Sequence, residues 1–145
     1  MIRLYDVDKS FSLKVRGYEF AGATEGSDAN WLDIEIIVAQ ECGESWQQHG
    51  PYLQTFELNE LVSWLELISE APKASRINFL EGELAFEYTD DSTLTVWLDF
   101  NFHPKGKEYD YSKDSEYSLV FLCSQSVLEG LILGVRKMAR SYPVR

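Results

Sequence analysis

The chain is predicted to be an α+β protein, an antiparallel sheet with two helices packed on one face, and three observations predict it. Several segments alternate apolar and polar residues with a period of two. Two others repeat their apolar residues at helical spacing, and the segments follow one another roughly as ββ(β)αββββα. Strands joined by short connections pair antiparallel, and the interrupting helices bury their apolar stripes against them. The regular strand and helix alternation of a parallel nucleotide-binding sheet is not present.

The elements follow in order. Phe11 to Val15 alternates and then slips at Gly17 before Tyr18 and Phe20, which predicts a strand with a bulge or bend at the glycine. Leu32, Ile34, Ile36 and Val38 alternate with Asp33 and Glu35, a second strand with one wet face. Residues 25–30 form the loop between them, and residues 41–51 form another, which leaves open a strand about Trp46. Leu58, Leu61, Val62, Leu65 and Ile68 then mark an amphipathic helix. Thr55 is its expected N-cap, Glu57 suits the dipole of the first turn, and Pro72 stops it. Trp64 borders the apolar stripe as core packing.

Strands are expected again at 77–80, 84–88, 94–102 and about 117–123, with a long polar loop over 103–115, HPKGKEYDYSKDS. The last element is a helix over 126–141. Ser126 and Glu129 match a capping box, and Leu128, Leu131, Ile132, Val135, Met138 and Ala139 form its buried face. Arg136, Lys137 and Arg140 suit its C-terminal dipole, and Gly130 and Gly134 permit close approach to a neighbouring backbone.

At 145 residues the chain has the commonest size for one domain, so 1–145 is read as a single unit. A content of 45% hydrophobic residues is too high for a disordered acidic chain. No apolar run approaches the ~18 residues of a membrane span and the N-terminus lacks a signal-peptide core, so a cytoplasmic protein is expected. Cys42 and Cys123 have no CxxC spacing, and both are expected to be buried free thiols. His49 and His103 share no ligand spacing and are expected at the surface. GxSxG, GxGxxG, P-loop and EF-hand patterns are missing, so no catalytic residue, no cofactor and no metal site is expected.

Charge is the strongest compositional signal. Of the net −11, residues 1–16 contribute +2 and residues 126–145 contribute +3, so the segment between carries −16. Such a body repels nucleic acid and anionic lipid and steers cationic proteins toward itself.

The acid concentrates on one hairpin. Leu80, Gly82, Leu84, Phe86 and Tyr88 alternate with Glu81, Glu83, Ala85 and Glu87, and on the return Leu94, Val96, Leu98, Phe100 and Phe102 alternate with Thr95, Trp97, Asp99 and Asn101. Both apolar sets face the core only if the loop is Asp90, Asp91 and Ser92, which pairs Tyr88 with Leu94, Phe86 with Val96 and Leu84 with Leu98. On the wet face Glu87 then meets Thr95, Ala85 meets Trp97, Glu83 meets Asp99 and Glu81 meets Asn101. Like charges opposite one another are destabilising. The set Glu81, Glu83, Glu87, Trp97 and Asp99 is therefore the candidate partner-binding site, an aromatic among carboxylates suited to an Arg- or Lys-rich protein. The alternative is that a basic side chain from another strand, such as Lys14 or Arg16, neutralises the cluster. A third reading, acid/base or metal chemistry at Glu83 and Asp99, lacks a cleft.

Asn30-Trp-Leu32, the run Pro51-Tyr-Leu-Gln-Thr-Phe-Glu-Leu-Asn-Glu-Leu-Val-Ser-Trp-Leu65, and Ile77-Asn-Phe-Leu-Glu81 with Leu84-Ala-Phe86 together resemble the WapI-like immunity proteins. Those proteins show a WL entering a strand, an L-x-T-x-E-L-x-x-L-x-x-W-L helix and an F-x-E-P-x-L-x-F hairpin. The likeness runs from Val15 to Phe102, with Gly82 where the pattern has proline. It implies a cytoplasmic antitoxin that binds and neutralises the C-terminal toxin domain of a polymorphic secreted toxin encoded nearby. Such toxin domains are often nucleases with basic faces, to which an acidic surface is complementary.

Overall fold

The strand alternation resolves into two antiparallel sheets of four strands each in a computed structural model that describes residues 1–145. The first sheet holds β1 (Ile2–Tyr5), β2 (Lys9–Tyr18), β3 (Trp31–Gln40) and β4 (Trp46–Gln54), neighbours in chain order. Leu32, Ile34, Ile36 and Val38 are all but inaccessible, as the period of two requires. The register of β2 on β3 shifts between Val15 and Gly17, so the bulge stands where the alternation slips. β1 escapes periodicity because four residues are too few to count, and the open strand about Trp46 proves to be nine residues long.

The second sheet holds β5 (Ser75–Asn78), β6 (Leu84–Thr89), β7 (Thr93–Leu98) and β8 (Tyr117–Leu122), again in chain order. The α+β class stands, but the expected single sheet is divided. Between β4 and β5 the chain runs through α1 (Thr55–Glu70), and β5 then pairs with β6. Alternation reports which face a residue takes, not which strand lies beside it.

The inner faces of the two sheets meet in one continuous cluster of buried side chains. Phe11 of β2 packs edge-on to Phe86 of β6 with centroids 6.3 Å apart, and Trp46 meets Tyr117 at 5.6 Å. The helices α1 and α2 (Gln125–Ser141) pack against each other and complete the core where Ile2, Leu4, Leu61, Leu65, Phe86 and Leu131 converge. A Cβ on Gly134 would stand 2.8 Å from Ile2 Cγ2 and 3.0 Å from the Met1 carbonyl, so α2 lies this close to β1 only with glycine there. Gly130 faces open space and has no such role. Neither helix is long and apolar enough to cross a membrane.

Both helix starts lie one or two residues earlier than expected. Gln54 caps α1, its backbone N–H bonded to Glu57 at 2.8 Å, while the Thr55 hydroxyl donates to Asn30 Oδ1 at 2.7 Å. Ser124, not Ser126, caps α2 by accepting from the Val127 N–H at 3.3 Å. Two further corrections concern burial. Cys123 is buried, but Cys42 is exposed in the β3–β4 turn. His49 is exposed yet lies on β4, whereas His103 is only 8% accessible and accepts from the Lys105 N–H through Nδ1.

Candidate functional site

The hairpin register is the one the core requires. Leu84 pairs with Leu98, Ala85 with Trp97, Phe86 with Val96, Glu87 with Thr95 and Tyr88 with Leu94. The loop is Asp90, Asp91 and Ser92, with Ser92 in the left-handed region at φ 61°, as three-residue hairpin loops demand.

The expectation fails at the open end. The last pair of the ladder is Leu84 with Leu98, and one step on the Asp99 N–H still donates to the Glu83 carbonyl at 3.0 Å, but Glu81 does not pair with Asn101, Leu80 is 69% exposed instead of core-facing, and the Glu83 side chain is buried instead of standing beside Asp99 on a wet face. Glu83 is 5% accessible and accepts from the Asn101 backbone N–H at 3.2 Å and its side-chain amide at 3.1 Å. Asp99 accepts from the Phe100 N–H at 2.9 Å and from the Tyr109 hydroxyl at 2.5 Å. That bond, above all other causes, pushes the Tyr109 phenol up to about 12. Each carboxylate thus accepts two hydrogen bonds from donors of its own chain.

Phe100 explains why the strand expected to reach Phe102 ends early. Its backbone is left-handed at φ 47°, and residues 100–102 form a 3-10 turn. This conformation costs a bulky residue of order 1 kcal/mol or more. The ring lies over Gly82, where a Cβ would stand 2.7 Å from Phe100 Cε2, and it stacks on Tyr111 with centroids 5.7 Å apart. The glycine in the place of the pattern's proline is what lets this ring pack down. The 103–115 loop is therefore anchored by aromatics, with Tyr109 against both Phe100 and His103.

Around Trp97 the cation is already supplied. The indole N–H donates to Glu87 at 3.0 Å, and the Arg76 guanidinium lies 5.2 Å from the ring centroid. Arg76 also forks onto Glu116 at 3.1 and 2.6 Å and donates to Asn78 at 2.9 Å. Lys14 and Arg16 belong to the first sheet, where they meet Glu35 at 3.0 Å and Asp33 at 3.8 Å. Arg76 is the residue sequence reasoning missed. The signal was its place on the strand preceding the hairpin, but its register opposite Glu87 depends on a connection too irregular to count across.

Tyr52, near the end of β4, lies within the electrostatic reach of several carboxylates. The half-buried phenol packs edge-on to Phe102 at 5.0 Å. Burial raises its pKa first, and the charges of Glu83, Glu81, Asp33 and Glu19 add to the shift in that order. These four carboxylates come from both sheets and from the loop after β2. Glu57 builds the same corner from beneath. Only 2% accessible, it accepts from the Gln54 N–H at 2.8 Å and the Leu80 N–H at 2.7 Å, tying the start of α1 to the residue before Glu81. Burial raises its pKa against the lowering effect of those two N–H groups.

A model of an immunity-protein family matches residues 3–143 of this scaffold. The chain belongs to the immunity protein WapI-like family. The match continues past Phe102 through the aromatic loop, β8 and α2, beyond the residues that carry the resemblance in the sequence. No curated protein and no solved structure matches the chain.

Proposed function

We propose that the chain is a cytoplasmic immunity protein that binds a basic, nuclease-type toxin domain of a polymorphic toxin system and blocks it by occupation, with no catalytic step of its own. Family membership carries this reading, and beside it stand Glu81 and Glu19, neither held in an ion pair, whose charges both raise the pKa of the half-buried Tyr52 phenol. Carboxylates gathered from distant parts of the chain around a half-buried aromatic suit a cationic surface, which gains association rate and register from them. Within the hairpin set, Glu81 stands at this corner. Asp99 anchors the neighbouring aromatic loop, and the buried Glu83 holds the turn. Glu87 and Trp97 form the adjoining face, where a partner's cation has to compete with Arg76.

The test is co-expression with the toxin domain encoded beside this chain, followed by stopped-flow association of the purified pair. The chain is expected to protect the host. Glu81→Lys combined with Glu19→Lys is expected to slow association about tenfold or more and to flatten its salt dependence. Glu129→Lys on α2 serves as a control and leaves both unchanged. Absence of protection sinks the function, and an unchanged rate in the double variant moves the binding surface elsewhere.

A further inference from the structure

Each sheet leaves two strand edges, and the four are not alike. β1 and β5 are four residues long and carry Arg3 and Arg76, while β4 contains Pro51. β8 is six residues, Tyr-Ser-Leu-Val-Phe-Leu, without charge, proline or glycine, and no charged residue occurs from Tyr117 to Gln125. Short length, charge and proline are the devices by which edges avoid pairing with other chains. β8 has none of them.

The direction of its free backbone groups follows from the ladder. The Cys123 N–H donates to the Ser92 carbonyl at 2.8 Å, one step beyond the Thr93 and Leu122 pair. Antiparallel ladders alternate bonded and non-bonded pairs, so Phe121 and Leu119 exchange bonds with Leu94 and Val96. The N–H and C=O groups of Ser118, Val120 and Leu122 therefore point away from β7, and no turn, loop or cap bond takes them up. The side chains of these three residues stand on the outer face, with Val120 47% and Leu122 74% exposed.

We propose that β8 is an interface between two copies of this chain, paired antiparallel about a two-fold axis at Val120. Val120 then faces its own copy and Ser118 faces Leu122 twice, each pair exchanging two N–H to carbonyl bonds. The two second sheets become one sheet of eight strands. A second copy suits this edge better than a basic partner does, because the edge offers no charge to a cation. The register also keeps the acidic chains apart, since Glu116, the next residue in phase, falls opposite the uncharged Ser124. Such an interface is self-complementary, as a closed two-fold contact must be. Three residue pairs bury less than the roughly 1,200 Å² of a standard interface, so the dimer is expected to be reversible.

Sedimentation equilibrium of the full chain from about 1 μM to about 1 mM, without any toxin present, tests the interface. The mass is expected to rise from 16.7 kDa toward twice that value across the range. Val120→Pro removes an outward N–H and leaves the β7 ladder intact, and Val120→Lys sets two ammonium groups face to face at the axis. Each is expected to weaken the dimer at least tenfold. If the proline variant fails to fold, the lysine variant at this half-exposed position decides. A wild-type chain that stays at 16.7 kDa throughout overturns the proposal, as does a dimer indifferent to Val120→Lys. A monomer that loses toxin binding on Val120→Lys also overturns it, because the edge then belongs to the toxin.

Discussion

The two sheets share strand number and antiparallel order, yet they dispose of charge differently. In the first sheet each wet-face carboxylate is met from the adjacent strand. Glu35 faces Lys14 in register, and Asp33 takes Arg16 on one side and His49 Nδ1 at 2.9 Å on the other. In the second sheet a single cation serves a larger area. Arg76 stands opposite Glu87 on the edge strand, covers Trp97 on the third strand and reaches Glu116 just before the fourth. The difference teaches that a strongly acidic segment is not a uniformly acidic surface. Ion pairs take up only Asp33, Glu35, Glu66, Asp114 and Glu116 of the segment, and exposed carboxylates without one, such as Glu25, Glu41, Glu60 and Asp90, are spread over its loops and α1.

The comparison treats the sheets as halves of one core, and Phe86→Ala is the strongest way to break it. Phe86 is 2% accessible, lies between Phe11 of the first sheet and Phe79, and lines the point where both helices enter. Truncation is expected to cost about 4 kcal/mol in urea unfolding. Fluorescence and far-UV signals should still move together, and two separate transitions would show that the sheets are independent. Glu57→Ala comes next, at about 3 kcal/mol, because it strips the acceptor from two N–H groups at the corner that holds Glu81. The pH dependence has a definite sign. The folded pKa of Glu57 is raised, so its contribution is fully present below the ordinary carboxylate range and is lost as pH rises through the folded value. Stability of the wild type relative to Glu57→Gln should therefore improve on acidification through that window, and a flat difference would contradict the burial.

Arg76→Ala and Lys14→Ala compare the two modes of neutralisation directly. Arg76 combines a forked ion pair with the cation–π contact, so about 1 kcal/mol is expected, with a change in Trp97 emission. Lys14 makes one exposed pair, for which about 0.3 kcal/mol is expected. Equal losses would erase the distinction between the sheets.

What could be read without coordinates follows the same division. The β6–β7 register was legible because two apolar faces and a three-residue loop admit one solution. The bulge at Gly17 was legible because a phase slip has a local cause. Arg76 over Trp97 was not, since it depends on which strand lies third. Nor was the inward turn of Glu83, because alternation places a residue on a face only while the ladder lasts, and its last pair is Leu84 with Leu98. The aromatic anchoring of the 103–115 loop was hidden for a related reason. A left-handed Phe100 leaves no trace in a pattern, except that a glycine stands at 82 to receive it. The corner around Tyr52 draws on Glu19, Asp33 and Glu81, which no local window brings together.

The smallest effect concerns the two thiols, one attached to each sheet. Cys42 is exposed in the β3–β4 turn, so Cys42→Ser should leave the unfolding midpoint unchanged within about 0.5 kcal/mol. Cys123 follows β8 with 1% of its surface accessible, and burial pushes its thiol up to about 11 from the ordinary 9.0. A disulfide-exchange reagent at pH 8 should therefore titrate one thiol per native chain and reach the second only in denaturant. The sign at high pH follows from the same shift. The favourable contribution of neutral Cys123 is fully present below 9.0 and is lost as pH rises through about 11, so Cys123→Ala should narrow the stability loss over that range. Rapid labelling of both thiols in the native state would mean that β8 leaves the sheet readily, and the second sheet would then be the less stable half.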